Sequence, residues 1–214
     1  MLVLAAVGGL WAVDHADHHA TTRAQDNQGG QEVTPPASQE GMDLRWVDVN
    51  GVRLPVSDTH GPTRQHDGLA FGFSHDELGA VIAAAALDYR TSALPGPAVY
   101  RATITGQGVG DPDAQLSEVD ASYTSRVSAA GVSYGQPLPA PNAHVVGYRI
   151  LAGDPTGDQV VVGLCVRTLQ DGSEVTYLGH DTLHWSGEDW RIELPLVDPT
   201  PTTNTNGCTP LPGG

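Results

Sequence analysis

The chain has 214 residues, 39% of them hydrophobic, and a formal net charge of -15 at pH 7. This length predicts one domain with tails. All ten basic residues are arginine. Such an acidic chain is unsuited to nucleic acid or to an anionic lipid surface, because both are bound through clusters of basic residues.

The chain opens with an uninterrupted apolar run over residues 2–13, LVLAAVGGLWAV. It is shorter than the roughly 20 residues that cross a bilayer. Residues 1–13 therefore fit an export signal or a truncated membrane anchor, and a buried terminal segment is the alternative. Residues 14–43 are too polar to form a core, which predicts a flexible stalk. We expect an extracytoplasmic protein, membrane-tethered or secreted, that touches the membrane only through this first segment.

Folded structure is expected from residue 44, where LRWVDV-NG-VRLPVS predicts a small β-hairpin. Asn50-Gly51 favours a type I′ turn, since both central residues of that turn take positive φ. A two-residue turn also sets Asp48 opposite Arg53, where their opposite charges attract.

The first predicted helix covers residues 74–90, SHDELGAVIAAAALDYR. Ser74 and Glu77 have the spacing of a capping box. Pro95 and Pro97 are expected to end the helix, and residues 99–104 to form a short strand or an extended connection. Apolar residues recur at three- and four-residue steps along the helix, at Leu78, Val81, Ile82, Ala85 and Tyr89.

A second helix is predicted to start at Asp111-Pro112, which places a capping Asp before a proline in the first turn. Gly131 is suited to the left-handed residue that ends such a helix. The apolar stripe of this helix comprises Leu116, Val119, Tyr123 and Val127.

Four strand-like segments follow. In the first, alternation places Val146, Tyr148 and Ile150 on one face. The second is almost continuously apolar, which indicates a strand buried on both faces. The segments are residues 144–151, 160–169, 174–185 and 190–196.

Helices followed by a meander of antiparallel strands predict an α+β fold. We expect a curved antiparallel sheet of about four long strands, packed on two helices and preceded by the small hairpin. Residues 44–197 would form this single domain. Residues 198–214, rich in Pro, Thr and Gly, predict a disordered tail.

Asp181 is the candidate pocket residue of greatest interest. By strand parity it shares a face with Tyr177 and Trp185, and Tyr89 of the first helix completes the candidate set. A carboxylate among aromatic rings has its pKa raised by desolvation, as general bases do. The alternative is that Asp181 lies at the rim of the sheet or is turned outward by a bulge at Gly179.

No catalytic, cofactor-binding or metal-binding motif is present in the sequence. His180 and His184 are about 13 Å apart along a strand and cannot share a metal ion. Two readings stay open for Cys165 and Cys208: a disulfide that ties the tail to the sheet if the chain is exported, or two free thiols.

Two segments carry a family resemblance: WVDVNGVRLPVSDTHGP at 46–62 and GFSHDELGAVIAAA at 72–85. They are similar to actinobacterial proteins encoded with conjugative or integrative elements. The order of elements, with LHWSGEDWRIELP at 183–195, resembles the cystatin-like cone fold typified by nuclear transport factor 2.

This resemblance implies a non-catalytic extracytoplasmic accessory or scaffold subunit of a conjugative, type IV secretion-like system. The subunit would need no cofactor and would act through protein partners, such as membrane secretion subunits. The resemblance also leaves open that the chain forms a homo-oligomer. The alternative is a small-ligand-binding protein or an enzyme that uses the cone cavity around Asp181.

Overall fold

The computed structural model describes residues 43–140, 142–170, 172–196 and 205–214. The predictions for residues 1–13 and for nearly all of the stalk lie outside these described residues. Within them, no helix is both long and apolar enough to cross a bilayer.

The described residues form three helices and ten strands in an α+β arrangement. The helices are α1 (Glu77–Thr91), α2 (Pro97–Gln107) and α3 (Pro112–Ala130). The strands are β1 (Leu44–Val49), β2 (Val52–Ser57), β3 (Arg64–His66), β4 (Leu69–Phe71), β5 (Gly108–Gly110), β6 (His144–Gly153), β7 (Gln159–Gln170), β8 (Ser173–Trp185), β9 (Trp190–Leu194) and β10 (Thr209–Pro210).

The strands form one large, mostly antiparallel sheet and a small two-stranded sheet of β3 and β4. The order of the large sheet is β1-β2-β6-β7-β8-β9-β5, and β10 pairs with β6 outside this path. Of the pairings described, β2 with β6 and β5 with β9 are parallel. The predicted meander, β6 to β9, therefore forms the centre of the sheet.

β1 and β2 are joined at Asn50-Gly51, whose φ angles are 56° and 84°. Asp48 lies opposite Arg53, which is the register that a two-residue turn requires. The two strands do not stand apart from the main sheet as the sequence suggested. Arg53 pairs with His144, so β2 extends the main sheet at β6.

α1 is the central helix and is buried on nearly all sides. Its N-cap is Asp76, whose carboxylate accepts the N–H of Gly79 at 2.8 Å. The predicted capping box of Ser74 and Glu77 is therefore wrong. Asp is as good an N-cap as Ser, and the Ser74 hydroxyl instead lies 3.1 Å from His60 Nδ1.

The core lies between α1 and the large sheet, with α2 on another side of α1. The alanine run Ala83–Ala86 is almost completely buried, and its small side chains let both neighbours approach the helix closely. The largest fully buried side chains include Trp190, Tyr100, Tyr123, Leu87, Leu164 and Ile192.

The sequence did not predict α2. Residues 99–104, expected as a strand or extended connection, lie within this helix. Pro97 occupies its first turn, where a missing N–H costs nothing, and Gly96, with φ of 86°, is its N-cap. Tyr100 and Ile104 are fully buried. In the described chain, three helices rather than two accompany the sheet.

α3 begins and ends at the predicted signals. Asp111 accepts the N–H of Ala114 at 3.0 Å, and Pro112 follows it in the first turn. Gly131 ends the helix in the left-handed conformation, with φ of 66°. These signals are confirmed because both capping motifs act locally, independent of tertiary contacts.

β6 departs from the predicted alternation. Its register with β7 shifts between Val145 and Gly147, as at a β-bulge. Val145 and Tyr148 are buried and Ile150 packs against the core, whereas Val146 is only partly buried. The predicted face is therefore wrong at Val146, because a bulge changes which residues point inward, and it holds for Tyr148 and Ile150.

The last described segment, residues 205–214, belongs to the fold. β10 pairs with β6 at Gly147 and Tyr148, and Leu211 is buried. The Trp46 indole N–H donates to the carbonyl of Pro212 at 2.8 Å. The disordered tail predicted over 198–214 is corrected for this segment, while residues 197–204 lie outside the described residues.

Cys165 of β7 and Cys208 form a disulfide across 43 residues of sequence. This pairing resolves the two readings left open by the sequence. The disulfide explains why residues 205–214 are ordered although few of them are apolar. The covalent link to the central strand offsets the entropy cost of ordering this segment.

Candidate functional site

Asp181 lies inside the core. It is 5% exposed, pairs with Val162 of β7 across the sheet, and follows Tyr177 along β8. Tyr177 and Leu183 are also buried. Asp181 is therefore an interior residue and does not lie at the rim of the sheet.

A second carboxyl group, missed by the sequence analysis, accompanies it. Asp88 of α1 is 1% exposed. Burial, and next the charge of Asp88, raise the pKa of Asp181 well above its usual range. The same two causes raise the pKa of Tyr177. Desolvation and a nearby like charge both favour the protonated form of an acid.

The other two candidate pocket residues lie elsewhere. Burial raises the pKa of Tyr89 to about 12, and the nearby charges that act on it are those of Arg90 and Asp48. Trp185 stacks on His75 with ring centroids 4.0 Å apart. The four candidates therefore divide into the interior pair of Tyr177 and Asp181, a tyrosine influenced by Asp48 of β1, and a tryptophan stacked on the segment before α1.

None of the four lines either of two surface clefts, which measure about 270 and 240 Å³. Asp181 Oδ2 accepts no hydrogen bond from the described residues. A carboxylic acid enclosed in the core can hold a proton. It cannot exchange that proton with a substrate unless the substrate can reach it.

The described histidines do not form a metal or nucleophile site. No group of three or more His, Cys, Asp or Glu side chains in the described residues is placed to hold a metal ion. His60 Nδ1 lies within 3.1 Å of both Ser74 Oγ and Asp76. A catalytic triad instead uses opposite ring nitrogens for the serine and the carboxylate, so this cluster is a helix-capping arrangement.

The larger cleft, which we call the Phe71 cleft, lies between the small sheet and the turn that joins β8 to β9. Its wall on the small sheet is Arg64, His66 and Phe71, and its opposite wall is Ser186, Glu188 and Arg191.

Asp189 joins the two walls of the Phe71 cleft. Its carboxylate accepts the N–H groups of Gly72 at 2.6 Å, Phe73 at 3.1 Å and Trp190 at 3.0 Å. Burial raises the pKa of Asp189, against the lowering effect of these three donors. One side chain thus fixes the segment after β4 to the first residue of β9.

Gln107 at the end of α2 fixes the small sheet from the other side. Its side-chain amide donates to the carbonyl of Ala70 at 2.6 Å and accepts the Ala70 N–H at 3.3 Å. Both partners are buried. The Phe71 cleft is therefore bounded by elements that polar side chains hold in place.

Residues 10–210 match a protein family described as a domain of unknown function, DUF8175. The chain belongs to this family. The DUF8175 match includes every helix and strand of the described residues, as well as Cys165 and Cys208. No curated protein and no solved structure matches the chain. For this DUF8175 protein, function is therefore inferred from the geometry of its own residues.

Proposed function

We propose that this chain is a non-catalytic extracytoplasmic accessory or scaffold subunit of a conjugative, type IV secretion-like system. It would act through protein-protein contacts on the framework of a cone-shaped sheet like that of nuclear transport factor 2. The observation that carries the proposal is the closure of the interior around Asp181, because the most reactive-looking group of the sequence is sealed among core side chains.

The disulfide supports the proposed location. Disulfides persist in oxidising compartments and are rare in the cytosol. Cys165 is 1% exposed and bonded to Cys208, so the link is part of the folded core. The apolar run at residues 2–13 is consistent with the same route of export.

The charge of the chain supports protein contacts over other partners. A net charge of -15 with ten basic residues disfavours nucleic acid. The acidic surface and the absence of a catalytic constellation among the described residues leave protein recognition as the role that the chemistry supports best.

The test is cross-linking in the native host, followed by affinity capture of the full chain and mass spectrometry. We expect enrichment of membrane secretion subunits relative to a strain that carries an unrelated exported protein with the same tag. Capture of a co-purifying small molecule without any protein partner would contradict the proposal and support a ligand-binding interior. Thiol alkylation of cell fractions before and after reduction tests the location. In the extracytoplasmic fraction, Cys165 and Cys208 should react with the alkylating reagent only after reduction, because they are disulfide-bonded.

A further inference from the structure

The Phe71 cleft contains two arginines that form no ion pair with the described residues. In the described residues, Arg45 pairs with Asp58 and Arg101 pairs with Asp120. Arg64 and Arg191 form no ion pair and donate no hydrogen bond to the described residues, although the charge of Arg64 lowers the pKa of Asp189. They line the same cleft. In a chain of net charge -15, this cleft thus places two guanidinium groups on one concave surface.

The cleft also offers an apolar platform beside these charges. The Arg64 guanidinium lies 5.9 Å from the Phe71 ring centroid, and the His66 ring stacks on Phe71 at 5.1 Å. Phe71 is only partly buried. Arginine side chains that stack on an aromatic ring present a planar fork of N–H donors that suits carboxylate groups.

The acidic groups of the cleft do not cancel this charge completely. Asp189 is occupied by three backbone N–H groups, which leaves Glu188 as the exposed carboxylate of the cleft wall. The volume of about 270 Å³ is slightly below the range of about 300–1,000 Å³ that is usual for small-molecule sites. It suits one or two side chains of a peptide better than a large cofactor.

We propose that the Phe71 cleft binds a carboxylate-bearing segment of a partner protein, with Arg64 and Arg191 holding the carboxylate and Phe71 packing against the adjoining apolar atoms. This inference rests on the proposed function, since it names the surface and the chemistry by which the scaffold recognises its partner. Because Asp189 joins the two walls and Gln107 fixes the small sheet to α2, the site is preorganised and little ordering cost opposes binding.

Calorimetric titration of the full chain at low ionic strength tests the site. The probes are acetyl-tetraglutamate amide, acetyl-tetraglutamine amide and inorganic phosphate. We expect saturable binding of tetraglutamate, no binding of tetraglutamine, and weaker binding as salt is added. Binding of phosphate without tetraglutamate would overturn the proposal, because the site would then accept a small oxyanion rather than a protein segment.

The variant is Arg64→Gln/Arg191→Gln, and its matched control is Arg45→Gln/Arg101→Gln. Both variants remove two exposed arginines and change the net charge equally. Loss of the charge-assisted bonds should weaken tetraglutamate binding at least about tenfold in the first variant, with little change in the control. Equal affinities in the two variants would contradict the assignment, and thermal unfolding verifies that each remains folded.

The same pair of variants separates this inference from the proposed function. If secretion subunits are captured equally by wild type and Arg64→Gln/Arg191→Gln, the scaffold role stands and the cleft assignment fails. If tetraglutamate binds through the two arginines but no secretion subunit is captured, the assignment of the Phe71 cleft stands. The proposal that the chain belongs to a secretion system then fails.

Discussion

Asp88 of α1 and Asp181 of β8 lie in one buried region, where the charge of Asp88 adds to the effect of burial on the pKa of Asp181. Burial and a nearby like charge both favour the form of Asp181 that retains a proton. The stability contribution of Asp181 is therefore linked to pH.

Asp181→Asn should reduce the pH dependence of stability. The native state keeps a proton that the unfolded chain releases above about pH 4, so the free energy of unfolding falls as pH rises from there toward the raised native pKa. The slope is at most about 1.4 kcal/mol per pH unit for one group. An amide cannot lose this proton, so the variant should gain stability relative to wild type as pH rises.

Urea unfolding at intervals from pH 5 to 8 measures this effect. Asp158→Asn is the control, because Asp158 is exposed. If Asp181→Asn and wild type lose stability in parallel over this range, Asp181 is not the group that retains the proton.

Asp76→Ala should lower the free energy of unfolding by about 1 kcal/mol at neutral pH, the usual cost of losing an N-cap. Burial favours the protonated form of Asp76, but the Gly79 N–H, the Ser74 hydroxyl and His60 outweigh it and lower its pKa. The contribution of this carboxylate is thus present above the unfolded pKa and is lost as pH falls through the native pKa. Chemical unfolding at pH 7 and pH 3 measures both effects, and an equal cost at both values would refute them.

Asp189→Ala should destabilise the domain by about 3 kcal/mol, because three backbone N–H groups lose a charged acceptor. Hydrogen exchange should locate the loss at Gly72, Phe73 and Trp190, whose N–H groups the carboxylate accepts. Glu188→Ala, at the adjacent exposed position, is the control and should change stability little. Uniform exchange changes across the domain would argue against a local link.

Cys165→Ala/Cys208→Ala should lower stability by about 2–4 kcal/mol, the usual contribution of a disulfide that closes a loop of this kind. The loss should be accompanied by faster proteolysis at residues 205–214 than in the oxidised wild type. Wild type in reducing buffer should behave as the variant does. Resistance to proteolysis in both samples would mean that β10 is held by its own hydrogen bonds and by Leu211.

Local signals predicted much of the backbone. Asn50-Gly51 determined the register of β1 and β2, and Asp111-Pro112 and Gly131 marked the ends of α3, because each motif depends on backbone conformation alone. The same reasoning failed at Pro97, which was interpreted as the end of a helix and instead begins one. A proline shows only that its position is not in the interior of a helix. The sequence position of Pro97 could not show whether it follows the end of one helix or begins the next.

Asp88 shows why the sequence did not predict all of the buried residues. The predicted apolar stripe, which contains Tyr89, requires a helix with a single buried face. Asp88 lies beside that stripe and so was not expected in the core. α1 is instead buried on nearly all sides, which its four consecutive alanines would permit. A helix with so few polar residues is typical of an entirely buried element. The Phe71 cleft was missed for another reason, since its walls come from segments more than 100 residues apart, joined by Asp189.

β6 shares one of its edges between two short partners: β2 reaches it at His144, and β10 covers Gly147 and Tyr148. Release of the Cys165–Cys208 link would uncover backbone donors and acceptors in the middle of the molecule. Bare strand edges invite pairing with another chain, so a reduced sample is expected to exchange strands between molecules and to associate. The redox state during purification would therefore decide whether the protein is obtained as monomers or as strand-exchanged oligomers.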